Sequence, residues 1–150
     1  MKDFENFNKF LIDAKKNTFL KGAKKEISSR PNSKDYAYKK FHYYYLDSHL
    51  GNNNFIGQEL VWENEKVCWG MNYKGNALIK NLPSDFYKFL NKALNNPIDD
   101  FPVRGPLNYK KDNYEYQLQY SGDLGFFSGF ETIIYNGKEI YKLFFHGGKI

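Results

Sequence analysis

The chain has 150 residues, a net charge of +5 and an isoelectric point near 9.1, which suits one domain with a sizeable core. Aromatic residues make up 19% of the chain, so its composition is not that of a disordered protein. The single cysteine, Cys68, excludes an internal disulfide framework and a multi-cysteine metal site. The lysines are scattered, so the charge favours anionic partners without identifying one.

The sequence lacks membrane and secretion segments, and it lacks the motifs of common enzyme classes. No stretch approaches the roughly 18 apolar residues of a membrane-spanning helix, and the N-terminal residues lack the apolar centre of a secretion signal. We therefore expect a cytoplasmic protein without a membrane partner. The chain also lacks a P-loop, a dinucleotide-binding glycine motif and the HExxH and GxSxG motifs, which argues against the commonest enzyme classes.

The first predicted element is an amphipathic helix over residues 3–16, because apolar residues at positions 7, 10, 11 and 14 have helical spacing. The same pattern recurs at residues 86–93, where five of eight residues are identical to residues 7–14. Pro83 and Ser84 mark the start of this second helix, and Asn95 to Pro97 mark its end.

Each predicted helix is followed by a loop that carries an arginine close to a proline. These arginines are Arg30, before Pro31, and Arg104, two residues before Pro106. Proline restricts the backbone, so both arginines are presented on stiffened loops at corresponding places. An arginine there serves either an anionic ligand or an internal carboxylate, and the sequence leaves both interpretations open.

The remaining elements are strands, and the last part of each half is duplicated. A tyrosine-rich strand is predicted over residues 36–46 and its counterpart over 113–120, with turns at 47–51 and 121–125. Residues 127–147 then repeat residues 55–75, with six of 21 positions identical. We predict one α+β domain, residues 1–150, built of two α-β-β-β units (about 1–80 and 81–150). They would form a pseudo-twofold antiparallel sheet or half-open barrel with both helices on one face.

The dipeptide Asn136-Gly137 predicts a two-residue hairpin turn that sets the register of the last two strands. Continued without interruption, this register places Glu131 opposite Lys142, and the aligned first hairpin places Glu59 opposite Gly70. Side chains then sort into two faces, with Trp69 and other large apolar residues on the core face. The glutamates fall on the other face, beside glycines, where we expect a small pocket.

The favoured hypothesis is a small-molecule binding or sensing module for an anionic or nucleotide-like ligand held between the two repeats. The arginines would bind negative groups, aromatic rings would line the site, and Glu59 would accept hydrogen bonds. The predicted ligand-binding residues are Arg30, Arg104, Glu59, Asn72, Phe55, Phe127, Trp69 and His146. No metal-ligand spacing is present, so neither a metal nor another cofactor is expected, and a homodimer is left open.

Two alternatives from other classes are kept. The first is a hydrolase or lyase that uses Glu59 or Glu131 as a general base and His146 as an acid. By analogy of topology alone, these three residues would also be the metal ligands of a vicinal-oxygen-chelate enzyme. The second alternative is a protein-interaction domain whose exposed tyrosines form an interface.

Several motifs resemble a bacterial family known only as a domain of unknown function. They include residues 29–33 (SRPNS), 69–73 (WGMNY), 101–106 (FPVRGP) and 145–148 (FHGG). Members of that family can be fused behind a helix-turn-helix of the XRE regulator type, which would imply a sensor role. This chain has no room for that part before its first predicted helix, so we expect no direct DNA binding. The resemblance implies no catalytic residues.

Overall fold

The computed structural model describes residues 2–20 and 24–150 and contains two helices and eight strands. Helix α1 (Lys2–Lys15) continues into one π-helical turn (Lys16–Leu20), and α2 covers Phe86–Leu94, which confirms both predicted helices. The strands are β1 (Lys34–Lys40), β2 (Tyr43–Gly51), β3 (Asn54–Glu63), β4 (Lys66–Ala77), β5 (Asn108–Lys111), β6 (Tyr114–Asp123), β7 (Phe126–Tyr135) and β8 (Lys138–Lys149). Within the described residues, no helix is long and apolar enough to cross a membrane.

All eight strands form one antiparallel sheet in the order β1-β2-β3-β4-β8-β7-β6-β5, and the sheet is not closed into a barrel. Each half supplies one helix followed by four strands, and β4 pairs with β8 at the centre. The predicted α+β class and internal duplication are therefore confirmed. The prediction gave three strands for each half, whereas the structure has four.

The extra strand arises because the predicted strand over residues 36–46 is divided by a turn. Phe41 has a positive φ of 55° and, with His42, reverses the chain between β1 and β2. The predicted turns at 47–51 and 121–125 are largely wrong, because residues 47–51 belong to β2 and 121–123 to β6. Tyrosine-rich strands flank this short turn on both sides, so the sequence contains no signal for the position of the turn.

The predicted hairpin turn at Asn136-Gly137 is confirmed, with φ values of 49° and 79° and Tyr135 paired with Lys138. The register then shifts by one residue at a bulge between Ile133 and Ile134. Glu131 consequently lies opposite Leu143, so its predicted pairing with Lys142 is wrong. A bulge places two residues opposite one and displaces the register beyond it.

The first hairpin contains the equivalent bulge, between Val61 and Trp62. It places Glu59 opposite Met71, so the predicted pairing with Gly70 is wrong as well. A one-residue shift moves every later side chain to the other face of its strand. Both glutamates therefore share a face with Trp69, and the predicted separation of the glutamates from the core is a mistake.

Helices α1 and α2 cover the same face of the sheet, which we call the inner face. Phe10 of α1 stacks on Tyr43, with ring centroids 4.9 Å apart, and Phe89 of α2 stacks on Tyr114 at 4.6 Å. These aromatic contacts bury large apolar surfaces and fix the helices on the sheet. Neither of the described helices lies over the opposite face, which we call the outer face.

Candidate functional site

A row of polar side chains crosses the outer face in register, and we call it the polar row. Residues directly opposite each other in antiparallel strands share a face, so the row can be followed from strand to strand. Its members are Asp35, Ser48, Gln58, Asn72, His146, Ser128 and Ser121. Because neighbouring strands lie about 4.8 Å apart, these seven strands make the row about 29 Å long.

Two shallow hollows lie on the two sides of the polar row, with volumes of about 770 Å³ and 470 Å³. Gln58, Asn72, Ser128 and His146 line both of them. The larger hollow also includes Arg30, and it crosses β3, β4, β8 and β7. It therefore spans the junction between the two halves of the chain.

At the centre of the polar row, the side chains of Gln58 and Asn72 bond to each other. The Gln58 amide nitrogen donates to the Asn72 side-chain oxygen at 2.8 Å. This bond leaves the Asn72 amide nitrogen and the Gln58 amide oxygen without partners among the described residues. A donor and an acceptor side by side complement the polar edge of a nucleobase or an amide.

Arg30 is held at the border of the larger hollow by two bonds to Ser48. Its guanidinium donates to the Ser48 hydroxyl at 2.6 Å and to the Ser48 carbonyl at 3.2 Å. Arg30 is exposed, and no carboxylate within the described residues forms an ion pair with it. The guanidinium thus retains donors for an anionic group of a ligand.

The Arg30 loop is anchored by Asp35, whose carboxylate is buried in β1 at the end of the polar row. It accepts hydrogen bonds from the hydroxyls of Ser33 (2.7 Å) and Ser48 (2.8 Å) and from the backbone N–H of Ser29 (3.2 Å). Burial alone would raise the pKa of Asp35, but these hydrogen bonds together lower it. Asp35 therefore stays ionised and fixes the loop that presents Arg30.

Aromatic and cationic side chains border the polar row towards the second half. Phe130 and Phe144 lie next to each other, with ring centroids 5.8 Å apart, and Phe144 is 57% exposed. The Lys142 ammonium lies over the Phe130 ring, 4.9 Å from its centroid. This part of the outer face offers flat apolar surfaces next to a positive charge.

On the inner face, Arg104 and Glu131 form a buried bidentate ion pair. The Arg104 Nε donates to one Glu131 oxygen at 2.9 Å, and its terminal nitrogen contacts the other oxygen. The hydroxyls of Tyr116 and Tyr141 donate to the same carboxylate at 2.6 Å and 3.2 Å. Both side chains are buried and paired with each other, and Arg104 does not line either hollow of the outer face.

Glu59 also pairs with a buried cation, but this cation comes from helix α1 and not from the loop that follows α2. The ammonium of Lys15, the last residue of α1, donates to the Glu59 oxygens at 2.7 Å and 3.0 Å and to the Val103 carbonyl at 2.6 Å. Burial lowers the pKa of Lys15, although Glu59 opposes that shift. The Lys15 side chain ties α1 to the sheet and to the loop that follows α2.

Asp47 is a second buried carboxylate next to Glu59, and the sequence analysis did not select it. It accepts a hydrogen bond from the Tyr73 hydroxyl, and its nearest ring nitrogen is Nδ1 of His49, 3.8 Å away. Burial and the neighbouring Glu59 charge raise the pKa of Asp47 to about 7, although the Tyr73 bond opposes the shift. Asp47 is therefore partly protonated near neutral pH.

The three aromatic residues predicted to line the site belong to the core of the inner face. Trp69 stacks on Phe127, with ring centroids 5.8 Å apart, and its indole N–H donates to the Leu124 carbonyl at 3.0 Å. Phe55 is half-buried against Tyr141, 6.4 Å away. Trp69 and Phe55 fill space on the inner face, whereas Phe127, although buried, also borders the smaller hollow.

Of the eight predicted ligand-binding residues, Arg30, Asn72 and His146 line one hollow on the outer face. Arg104, Glu59, Phe55, Phe127 and Trp69 lie on the inner face. Gln58 and Ser128 are not among the predicted residues, although a period-two pattern and pairing with Asn72 and His146 place them on the same face. Asp35 had no distinguishing signal because its serine partners come from two separate segments, the Arg30 loop and β2.

The residues required by the enzyme hypothesis lie apart. Glu59 and Glu131 are fully buried with cations, whereas His146 is exposed on the other side of the sheet. Within the described residues, no three His, Cys, Asp or Glu side chains are close enough together to hold a metal ion. The set Glu59, Glu131 and His146 therefore does not converge on one reacting centre.

The family model described as a domain of unknown function (DUF5680) matches residues 47–150. This range contains all of β3 to β8 and the central part of the polar row, whereas the Arg30 loop and Lys15 precede it. No curated protein and no solved structure matches the chain.

Proposed function

Since the chain belongs to the DUF5680 family, whose function is unknown, we propose from the geometry of the outer face that it is a ligand-binding module. The ligand is anionic and nucleotide-like. It lies across the junction of the two halves, where Arg30 binds a negative group and Gln58 and Asn72 recognise a polar ring edge. One observation carries the proposal: Arg30, Gln58, Asn72 and His146 line a single hollow on a face without a helix.

The chemistry of the bordering residues supports this ligand class. The guanidinium of Arg30 suits phosphate or carboxylate groups because it donates in a planar fork. The exposed ring of Phe144 offers a surface on which an aromatic base stacks. In this proposal the module acts as a sensor, which is the role implied for members of the resembling family that are fused to regulators.

Calorimetric titration of the full chain with adenosine monophosphate tests the proposal. We expect Arg30→Ala to weaken binding roughly ten-fold or more, because a charge-assisted hydrogen bond is lost. Asn72→Ala should weaken it as well, through the lost amide donor. Lys88→Ala, which removes an exposed charge from α2 behind the inner face, should bind like the parent chain.

The result that would overturn the proposal is equal affinity in the parent chain and in Arg30→Ala, or no heat at any concentration. Native mass spectrometry of the protein purified from cells gives an independent test. A co-purifying mass that disappears on denaturation, and is absent from Arg30→Ala, would support the module and define its ligand. A bound mass retained by Arg30→Ala would place the ligand elsewhere.

A protein-interaction domain remains a second candidate because one observation favours it. Several apolar side chains on or beside the outer face are exposed, including Phe126 at 85% and Ile56 at 55%. Exposed apolar surface of this kind marks interaction sites when it is contiguous. Self-association that a Phe126→Ser variant abolishes, observed in sedimentation equilibrium, would support this candidate.

A further inference from the structure

We propose that the outer face binds single-stranded nucleic acid. This inference rests on the function proposed above and specifies the class of its nucleotide-like ligand. Three features of the outer face carry it: its open shape, its charge and its exposed aromatic rings.

The shape of the outer face suits an extended chain better than a compact molecule. Sites for small molecules bury about 70–90% of the ligand surface. Here the two hollows are shallow and meet along the exposed part of the polar row, from Gln58 to Ser121, which crosses five strands over about 19 Å. A strand of several linked nucleotides can lie along this row, whereas a mononucleotide would occupy only part of it.

The charge of the outer face complements a phosphate backbone. Arg30, Lys74 and Lys142 are positively charged and border the larger hollow or the rings next to it. Among the outward-facing residues of β3, β4, β7 and β8, the single carboxylate is Glu139, 3.9 Å from Lys142 at one end. Phosphates lying over these four strands would therefore meet cations and no central carboxylate, while the Asp35 carboxylate lies buried in β1 against the Arg30 loop.

The aromatic rings supply a second, independent element of recognition. Phe130 and Phe144 lie side by side, and Phe126 is 85% exposed beside the other hollow. Bases of single strands stack on exposed aromatic rings of open sheets, and this stacking tolerates different sequences. Paired bases in a duplex are not available for such contacts. Duplex operator binding is not part of this inference.

The test is fluorescence anisotropy of the full chain with a labelled oligothymidylate of about 12 nucleotides, within the usual range of site sizes. Affinity is measured between about 50 and 200 mM salt. With three cations engaged, log K should fall with log salt at a slope of about −2, since each phosphate contact contributes about −0.7 on single strands. Arg30→Ala should make the slope shallower by about 0.7.

One variant with a matched control tests the rings. Phe144→Ala should weaken binding about five-fold or more, as expected for the loss of one stacked base. Its control is Phe41→Ala, because Phe41 is also exposed to solvent, at 83%, but lies in the turn between β1 and β2. Lys88→Ala on α2 is the charge control, and both control variants should bind like the parent chain.

The outcomes separate this inference from the proposed function. If adenosine monophosphate binds through Arg30 but the oligonucleotide binds no more tightly, the inference is wrong and the proposed function stands. A duplex of the same sequence binding equally well would also overturn the inference. If neither nucleotide nor oligonucleotide binds, and the chain instead self-associates through Phe144, both proposals are wrong.

Discussion

Asp47 and Glu59 lie opposite each other on β2 and β3, both carboxyl groups are buried, and only Glu59 contacts a cation. In the second half, the residue opposite Glu131 is Leu118. On the inner face, the two halves thus share the buried ion pair but differ by one carboxyl group. The inner face of the first half contains one more buried acid than Lys15 neutralises, and this difference has a consequence for pH dependence.

We predict that Asp47 makes the protein less stable as the pH rises from about 4 to 7. The pKa of Asp47 is about 7 in the folded chain, above the ordinary aspartate value, so the folded state holds this proton more tightly than the unfolded state. Its contribution is fully present below the unfolded pKa and is lost as the pH rises through the folded pKa. Each unit of difference corresponds to about 1.4 kcal/mol.

Urea denaturation at pH 5 and pH 8 checks this prediction in the parent chain and in Asp47→Asn. The variant cannot ionise at position 47, and Tyr73 still has an oxygen to donate to. We expect the free energy of unfolding of the parent to fall relative to that of Asp47→Asn by about 1 kcal/mol or more between the two pH values. Parallel pH profiles would contradict the assignment.

We predict that replacing only one partner of the buried pair Arg104–Glu131 strongly lowers the stability of the fold. Arg104→Met leaves the Glu131 carboxylate buried without its cation, and the expected loss of stability is about 3–5 kcal/mol. The double variant Arg104→Met, Glu131→Leu removes both charges and should lose less than Arg104→Met alone. A double-mutant cycle in urea measures the coupling, and additive losses would show that the two residues act independently.

We predict that Asp35 supports ligand binding through the Arg30 loop without touching the ligand. Asp35→Ala leaves the donors of Ser29, Ser33 and Ser48 without their acceptor, so the loop loses its anchor. Binding of adenosine monophosphate should weaken about as much as in Arg30→Ala. The double variant Asp35→Ala, Arg30→Ala should bind no more weakly than either single variant. Additive losses of affinity would show that Asp35 does not act through Arg30.

We predict that Gly57→Ala disturbs the Asp47 environment, because a Cβ at this position would overlap the Tyr73 ring and hydroxyl. The expected loss of stability is about 1–3 kcal/mol, as for other overpacked interiors. Gly137→Ala is the comparison, since no atom lies within 4 Å of its Cβ and only its positive φ of 79° opposes the side chain. The pH profile should change in Gly57→Ala and stay unchanged in Gly137→Ala.

Local patterns in the sequence predicted most of the architecture. The helical spacing around Phe10 and Phe89, the repeat of residues 55–75 at 127–147 and the Asn136-Gly137 turn each lead to an element that the structure contains. These signals are local, because each depends on residues that are neighbours in the chain. The α+β class and the arrangement of helices on one face follow from them.

The faces of the sheet could not be predicted, because they depend on two bulges with no clear sequence signal. One bulge lies next to Val61 and the other next to Ile133, and each moves a glutamate from the predicted outer face to the inner face. The partner of Glu59 is Lys15, 44 residues away, and such long-range pairs leave no spacing pattern. The polar row was missed for the same reason, since its seven members come from seven strands.

Whether the outer face of the sheet binds a nucleotide-like ligand can be observed residue by residue in an NMR titration. The ¹⁵N-labelled chain is titrated with adenosine monophosphate while the side-chain amide signals of Gln58 and Asn72 are followed. We expect both signals to shift, together with backbone signals of β3, β4 and β8, and we expect Arg30→Ala to reduce the shifts. Shifts confined to α1 and α2, or none at saturating ligand, would contradict this expectation.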